Sequence, residues 1–100
     1  MEIPRSPQPA GPVPAFLVER YLPTSAVGSL AASVASVARC CAAPAGPTSV
    51  SYLQSIYVPA EDTCFCVFLA RSADDVRAVN AAGRFPFDRI AEAVLLITTP

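Results

Sequence analysis

Two closely spaced thiols, two acids inside strands and one amide are the side chains best placed to do chemistry. Cys64 and Cys66 fall in Thr63-Cys-Phe-Cys-Val-Phe-Leu-Ala70, where every residue suits a strand. Alternation along a strand puts both thiols on one face. There they could serve as paired thiolate ligands or as a redox pair. The plainer reading is two small buried hydrophobes in a central strand, a common role for unpaired Cys. A disulfide between them is awkward, because extended backbone separates their α carbons by about 6.5–7 Å. Cys40 and Cys41 are adjacent, and neither pair has the spacing of a C-x-x-C redox motif or a zinc knuckle.

Glu19 lies mid-strand in Phe16-Leu-Val-Glu-Arg-Tyr21. A carboxylate there needs a partner, and Arg20, Arg89, a Tyr hydroxyl or a bound ligand could supply it. Glu92 occupies a similar place in the last strand, and Gln54 in the second. The chain has no His, which excludes a Ser/His/Asp or Cys/His set. Asp74 and Asp75 follow Ser72 as acids at a helix start, a sufficient structural reason for them. Asp88 and Arg89 cap a connector or hold an anion. Gly28, Gly46 and Gly83 form no phosphate loop.

These side chains need elements to place them. Residues 1–14, with Pro at 4, 7, 9, 12 and 14, read as a disordered Pro-rich tail or a polyproline ligand. Residues 15–100 read as one domain. Strands are expected at 15–21, 49–58, 63–70 and 90–98. A helix from Thr24 or Ser25 to about Ala43 carries Val27, Leu30, Val34, Val37 and Cys41 at helical spacing. A second helix opens at Ser72, faces the core with Val76, Val79 and Ala82, and ends at Gly83.

Only 15% of the 100 residues are charged and 53% are hydrophobic. That is more apolar side chain than one small core easily hides, so a homodimer is expected. The net charge is −1, with Arg scattered and Lys absent, which argues against a nucleic-acid or anionic-membrane surface. No secretory signal is evident, and Ser29, Ser33, Ser36 and Arg39 interrupt the longest apolar run, so the chain reads as cytoplasmic, reduced and without a membrane span. The composition suggests a GC-rich bacterial genome.

The order βαββαβ with right-handed crossovers predicts a ferredoxin-like α+β fold. This is a four-stranded antiparallel sheet with two helices on one face, in spatial order fourth, first, third, second. The helix-covered face is assigned to Phe16, Val18, Leu53, Phe65, Val67, Leu69, Leu95 and Ile97, which are uniformly apolar. The open face then carries Leu17, Glu19, Tyr21, Tyr52, Gln54, Ile56, Cys64, Cys66, Phe68, Glu92, Val94 and Leu96. Two such faces meeting around a small polar cavity would make a dimeric α/β-barrel.

Several segments resemble a known family. They are Phe16-Leu-Val-Glu-Arg20 with Pro23, Ser55-Ile-Tyr-Val58, Cys66-Val-Phe68 with Ala70 and Ser72, and Phe85-Pro-Phe-Asp-Arg-Ile90 with Glu92. Together, over residues 15–98, they resemble a group of small bacterial ferredoxin-like proteins, a domain of unknown function with a branch called nickel-binding protein. The resemblance implies a dimeric α/β fold and nickel binding. Gln54 stands where the family implies His, which leaves Cys66, Cys64 and Glu19 as metal donors. The leading expectation is a non-catalytic homodimer whose inter-sheet cavity, lined by Glu19, Gln54, Cys64, Cys66 and Glu92, holds a metal or small ligand. Cys66 and Glu19 are its metal candidates. The alternatives are a small dimeric barrel enzyme with Glu19 as general base, or a protein-interaction subunit using the Ser/Ala helix face or the tail.

Overall fold

A computed structural model describes residues 12–42 and 50–96. Six main elements follow one another as β1 (Pro12–Tyr21), α1 (Leu30–Ala42), β2 (Ser51–Val58), β3 (Thr63–Leu69), α2 (Ala73–Ala82) and β4 (Arg89–Leu96). The 3-10 segments Thr24–Ser29 and Pro59–Glu61 lead into α1 and turn β2 into β3. The four strands form one antiparallel sheet in the order β2-β3-β1-β4, the ferredoxin-like arrangement. β1 and β3 are therefore the interior strands, as the apolar character of Thr63–Ala70 requires.

β1 begins at Pro12, three residues inside the stretch expected to be tail; residues 1–11 lie outside the described residues. The overhang is compatible with two prolines because it pairs on one side only. Pro12, Val13 and Pro14 face β4, whereas pairing with β3 starts at Phe16. Proline is tolerated where the ladder is one-sided.

The strand register corrects the expected assignment of faces. Directly paired residues share a face, so two sets of rows run across the sheet. On the helix side lie Phe16–Phe68–Tyr52, Ile90–Val18–Cys66–Ser55 and Arg20–Cys64–Tyr57. On the open side lie Ala91–Leu17–Val67–Gln54 and Arg89–Glu19–Phe65–Ile56. The expectation holds for β1, but β3 is inverted. Cys64, Cys66 and Phe68 are under the helices, and Phe65, Val67 and Leu69 are on the open side. Leu95 also belongs to the open side, one step along from Ala93, which pairs with Ala15. Tyr52 joins the helix side because the register shifts between Tyr52 and Gln54. That irregularity leaves Leu53 as an extra, exposed residue and reverses the alternation beyond it. Ile97 lies outside the described residues.

Val37 of α1 and Val76 and Val79 of α2 close over Phe16, Val18, Cys64, Cys66 and Phe68 to form the core. Val27, Leu30, Val34 and Cys41 pack at its margin, following the helical spacing of the sequence. Among the described residues, Thr24–Cys41 is long and apolar enough to cross a membrane by length and composition, contrary to the sequence reading. Here its apolar stripe meets the sheet. Ser72 caps α2 by accepting a bond from the Asp75 backbone N–H at 3.2 Å. Ala82 is exposed, and the core position beside Val79 is taken by Asn80.

Gly83 has a specific packing reason. Its φ of −80° is ordinary for any residue; the left-handed turn falls on Arg84 at φ 58°. A Cβ on Gly83 would lie 2.8 Å from Val37 Cγ2 and 2.9 Å from Val37 Cα, so α1 and α2 can touch here only without a side chain. Gly83→Ala should therefore push the helices apart and destabilise the fold by about 1–3 kcal/mol. Urea unfolding followed by circular dichroism measures this.

Candidate functional site

Arg20 is the residue around which the helix side is organised. It is 2% exposed, near the end of the interior strand β1, with no buried carboxylate among the described residues. Its Nη1 donates to the carbonyls of Phe85 at 2.9 Å and Pro86 at 3.2 Å. Its Nη2 donates to Asn80 Oδ1 at 2.8 Å. The guanidinium carbon lies 3.7 Å from the centre of the Phe85 ring, a cation–π contact. Asn80 is fixed in turn by donating from Nδ2 to the Val76 carbonyl at 2.8 Å. Nε of Arg20 is buried without an acceptor among the described residues.

The connector after α2 delivers these carbonyls. The Arg84 N–H bonds to the Ala81 carbonyl at 3.0 Å and the Phe85 N–H to the Asn80 carbonyl at 3.1 Å, folding the chain back under α2. Asp88 then ties the connector to β1. Its carboxylate accepts from the Tyr21 N–H at 2.5 Å, and its N–H donates to the Glu19 carbonyl at 2.8 Å. Asp88 is thus spent on backbone groups. A cleft of about 470 Å³ lies outside this junction, lined by Asn80, Ala81, Arg84, Phe85, Pro86 and Phe87.

Beside Arg20 a chain of soft and hydroxyl groups crosses the buried face. Tyr52 Oη and Ser55 Oγ are 2.7 Å apart, and Ser55 Oγ and Cys66 Sγ are 2.9 Å apart. Cys66 and Cys64 have their sulfurs 3.9 Å apart, and both residues are buried. Burial, helped by the neighbouring Cys66, pushes the Cys64 thiol up from its ordinary 9.0 to about 11 against the opposing pull of Arg20. Tyr52 is raised by burial too, as is Cys41 at the end of α1.

The open face holds a different set. Glu19 and Arg89 are directly opposed in neighbouring strands. Arg89 Nε donates to Glu19 Oε2 at 3.0 Å, and Nη2 donates to the same oxygen. Around this pair the face is apolar, with Leu17, Ile56, Phe65, Val67, Leu69 and Leu95. A shallow hollow of about 180 Å³ lies between Ala15, Leu17, Val67, Ala93 and Leu95.

The structure separates the five residues expected to share a cavity. Glu19 and Gln54 are on the open face, two strands or about 10 Å apart. Cys64 and Cys66 are beneath the helices. Glu92 pairs with Phe16 and so lies on the helix side, at the exposed rim of the edge strand. Cys66 and Glu19 therefore cannot ligate one metal ion, because the sheet lies between them. Asn80 escaped the sequence reading, and Arg20 entered it only as a candidate partner of Glu19, although one signal was present. Asn80 falls at the i+4 position from Val76, on the core stripe, where a polar residue demands a buried partner.

Residues 16–93 match the family model described as nickel responsive protein SCO4226-like. No curated protein and no solved structure matches the chain. The family description implies nickel, but among the described residues no group of three or more His, Cys, Asp or Glu is gathered to hold a metal ion. Glu19 is engaged by Arg89 and lies across the sheet from the two buried thiols, so this donor set does not fit Ni²⁺.

The raised thiol has a consequence for stability. Folding favours protonated Cys64, so its contribution is complete below about 9 and is lost as the pH climbs towards about 11. Cys41 and Tyr52 act in the same direction. Urea midpoints should fall steadily across that window, and the fall should be shallower in Cys64→Ala.

Proposed function

The chain belongs to the nickel responsive protein SCO4226-like family, and from that membership we propose that it serves a nickel response as a small homodimeric binding protein without chemistry of its own. The observation that carries the dimer is the open sheet face. Leu17, Phe65, Val67, Leu69 and Leu95 line it half-buried, no helix among the described residues packs over it, and Ile56 is 51% exposed there. A contiguous apolar face of this kind calls for a partner surface. A second copy of the same face offers one, with its Glu19–Arg89 pair and Gln54 as the polar groups of the inter-sheet space. Cys64, Cys66 and Glu92 do not belong to that space.

The enzyme reading is weaker. A general base must be available to take a proton, and the Glu19 carboxylate is already occupied by the Arg89 guanidinium. All four Cys are free, which suits a reducing, cytoplasmic setting.

Light scattering after size exclusion at micromolar concentration should give twice the chain mass. Val67→Glu places a carboxylate at the middle of the proposed interface and should yield a monomer with an unchanged circular dichroism spectrum. A wild-type monomer, or a Val67→Glu dimer, would overturn the reading.

A further inference from the structure

We propose that Cys64 and Cys66 form a two-thiolate site for a soft monovalent cation, copper(I), with the buried Arg20 guanidinium as its counter-charge. The site is independent of the open face and of the dimer.

Three observations meet here. First, the sulfurs are 3.9 Å apart. Two metal–thiolate bonds of about 2.3 Å reach at most about 4.6 Å, so one ion bridges this pair with sulfur shifts of tenths of an ångström. Secondly, Arg20 is a buried cation with no buried carboxylate near it among the described residues, and its Nε has no acceptor. Arg20 is directly opposite Cys64 in the strand pair. Thirdly, imidazole and carboxylate are absent from this buried face, leaving thiols with the hydroxyls of Ser55 and Tyr52.

Charge selects the ion. Binding replaces two thiol protons by one Cu⁺, giving a dithiolate complex of charge −1 and releasing two protons, with no change of oxidation state. That complex offsets the charge of Arg20, whose strand position faces Cys64. A divalent ion would make a neutral complex and leave the buried guanidinium as uncompensated as before. Ni²⁺ and Zn²⁺ also lack the further donors that their geometries require, whereas thiolate pairs suit Cu(I). Entry requires local opening. Val37 is the one fully buried side chain of α1 among the described residues, so α1 is the weaker of the two covers.

The test uses the reduced full-length chain, titrated anaerobically with Cu(I) against a competing Cu(I) chelator such as bathocuproine disulfonate. One copper per chain should be retained, with two sulfur neighbours in the X-ray absorption spectrum. The double variant Cys40→Ser/Cys41→Ser should keep that copper. Cys64→Ala and Cys66→Ala should each lose it, and Arg20→Gln should weaken it by about 10- to 100-fold. Should the core variants not fold, the absorption spectrum and the Cys40→Ser/Cys41→Ser double variant decide alone. Failure to hold copper against the chelator, loss of copper in Cys40→Ser/Cys41→Ser, or equal competition by Ni²⁺ or Zn²⁺ would overturn the site.

Discussion

A guanidinium buried between an interior strand and a helix is the constraint on which this fold depends. Leaving a charge in a protein interior costs several kcal/mol unless donors and field are answered locally. Among the described residues Arg20 is answered by neutral groups only: the carbonyls of Phe85 and Pro86, the amide of Asn80 and the face of the Phe85 ring. Each of these comes from α2 or the connector that follows it, and Arg20 itself from β1. Satisfying one side chain therefore locks the first strand to the second helix and fixes how the chain enters β4. Asp88 adds to the same junction by binding the backbone of β1 on either side of Arg20.

The division of labour between the two faces follows from this placement. The face under the helices is the more polar in kind, with Arg20, Asn80, Ser55, Tyr52 and two thiols packed among Val and Phe. Among the described residues the opposite face is largely aliphatic and aromatic, interrupted by the Glu19–Arg89 pair and Gln54. This is the reverse of a simple inside-apolar pattern. It is consistent when the open face is itself an inside, completed by a second copy. It also bears on the nickel description of the family, because the side chains most able to bind metal lie on opposite sides of the sheet.

Much of the fold was legible in the sequence. Hydrophobic spacing identified both helices, and Ser72 and Gly83 bounded the second. The crossover rule then gave the strand order. The parity of β3 relative to β1 was not legible. A one-residue change of register exchanges both faces of a strand. β1 and β3 are joined through a helix and another strand, so no short turn fixes their pairing. Choosing the more apolar set as the interior placed Phe65, Val67 and Leu69 on the wrong side and moved Cys64 and Cys66 into a supposed cavity with Glu19. The register shift beside Leu53 had no signature in Tyr-Leu-Gln. The Arg89 partner of Glu19 was among the options read from the sequence, whereas the Arg20–Asn80 pair required three-dimensional proximity of β1 and α2.

The clamp is tested most directly by a double-mutant cycle on Arg20→Met and Asn80→Leu, with unfolding free energies taken from urea denaturation. Residues that share a buried hydrogen bond are coupled by about 0.5–3 kcal/mol. The expected coupling lies in the upper half of that range, with the double variant less damaged than the two single losses added together. Single losses that simply add, within about 0.5 kcal/mol, would contradict it and show that β1 and α2 are held together by apolar packing alone.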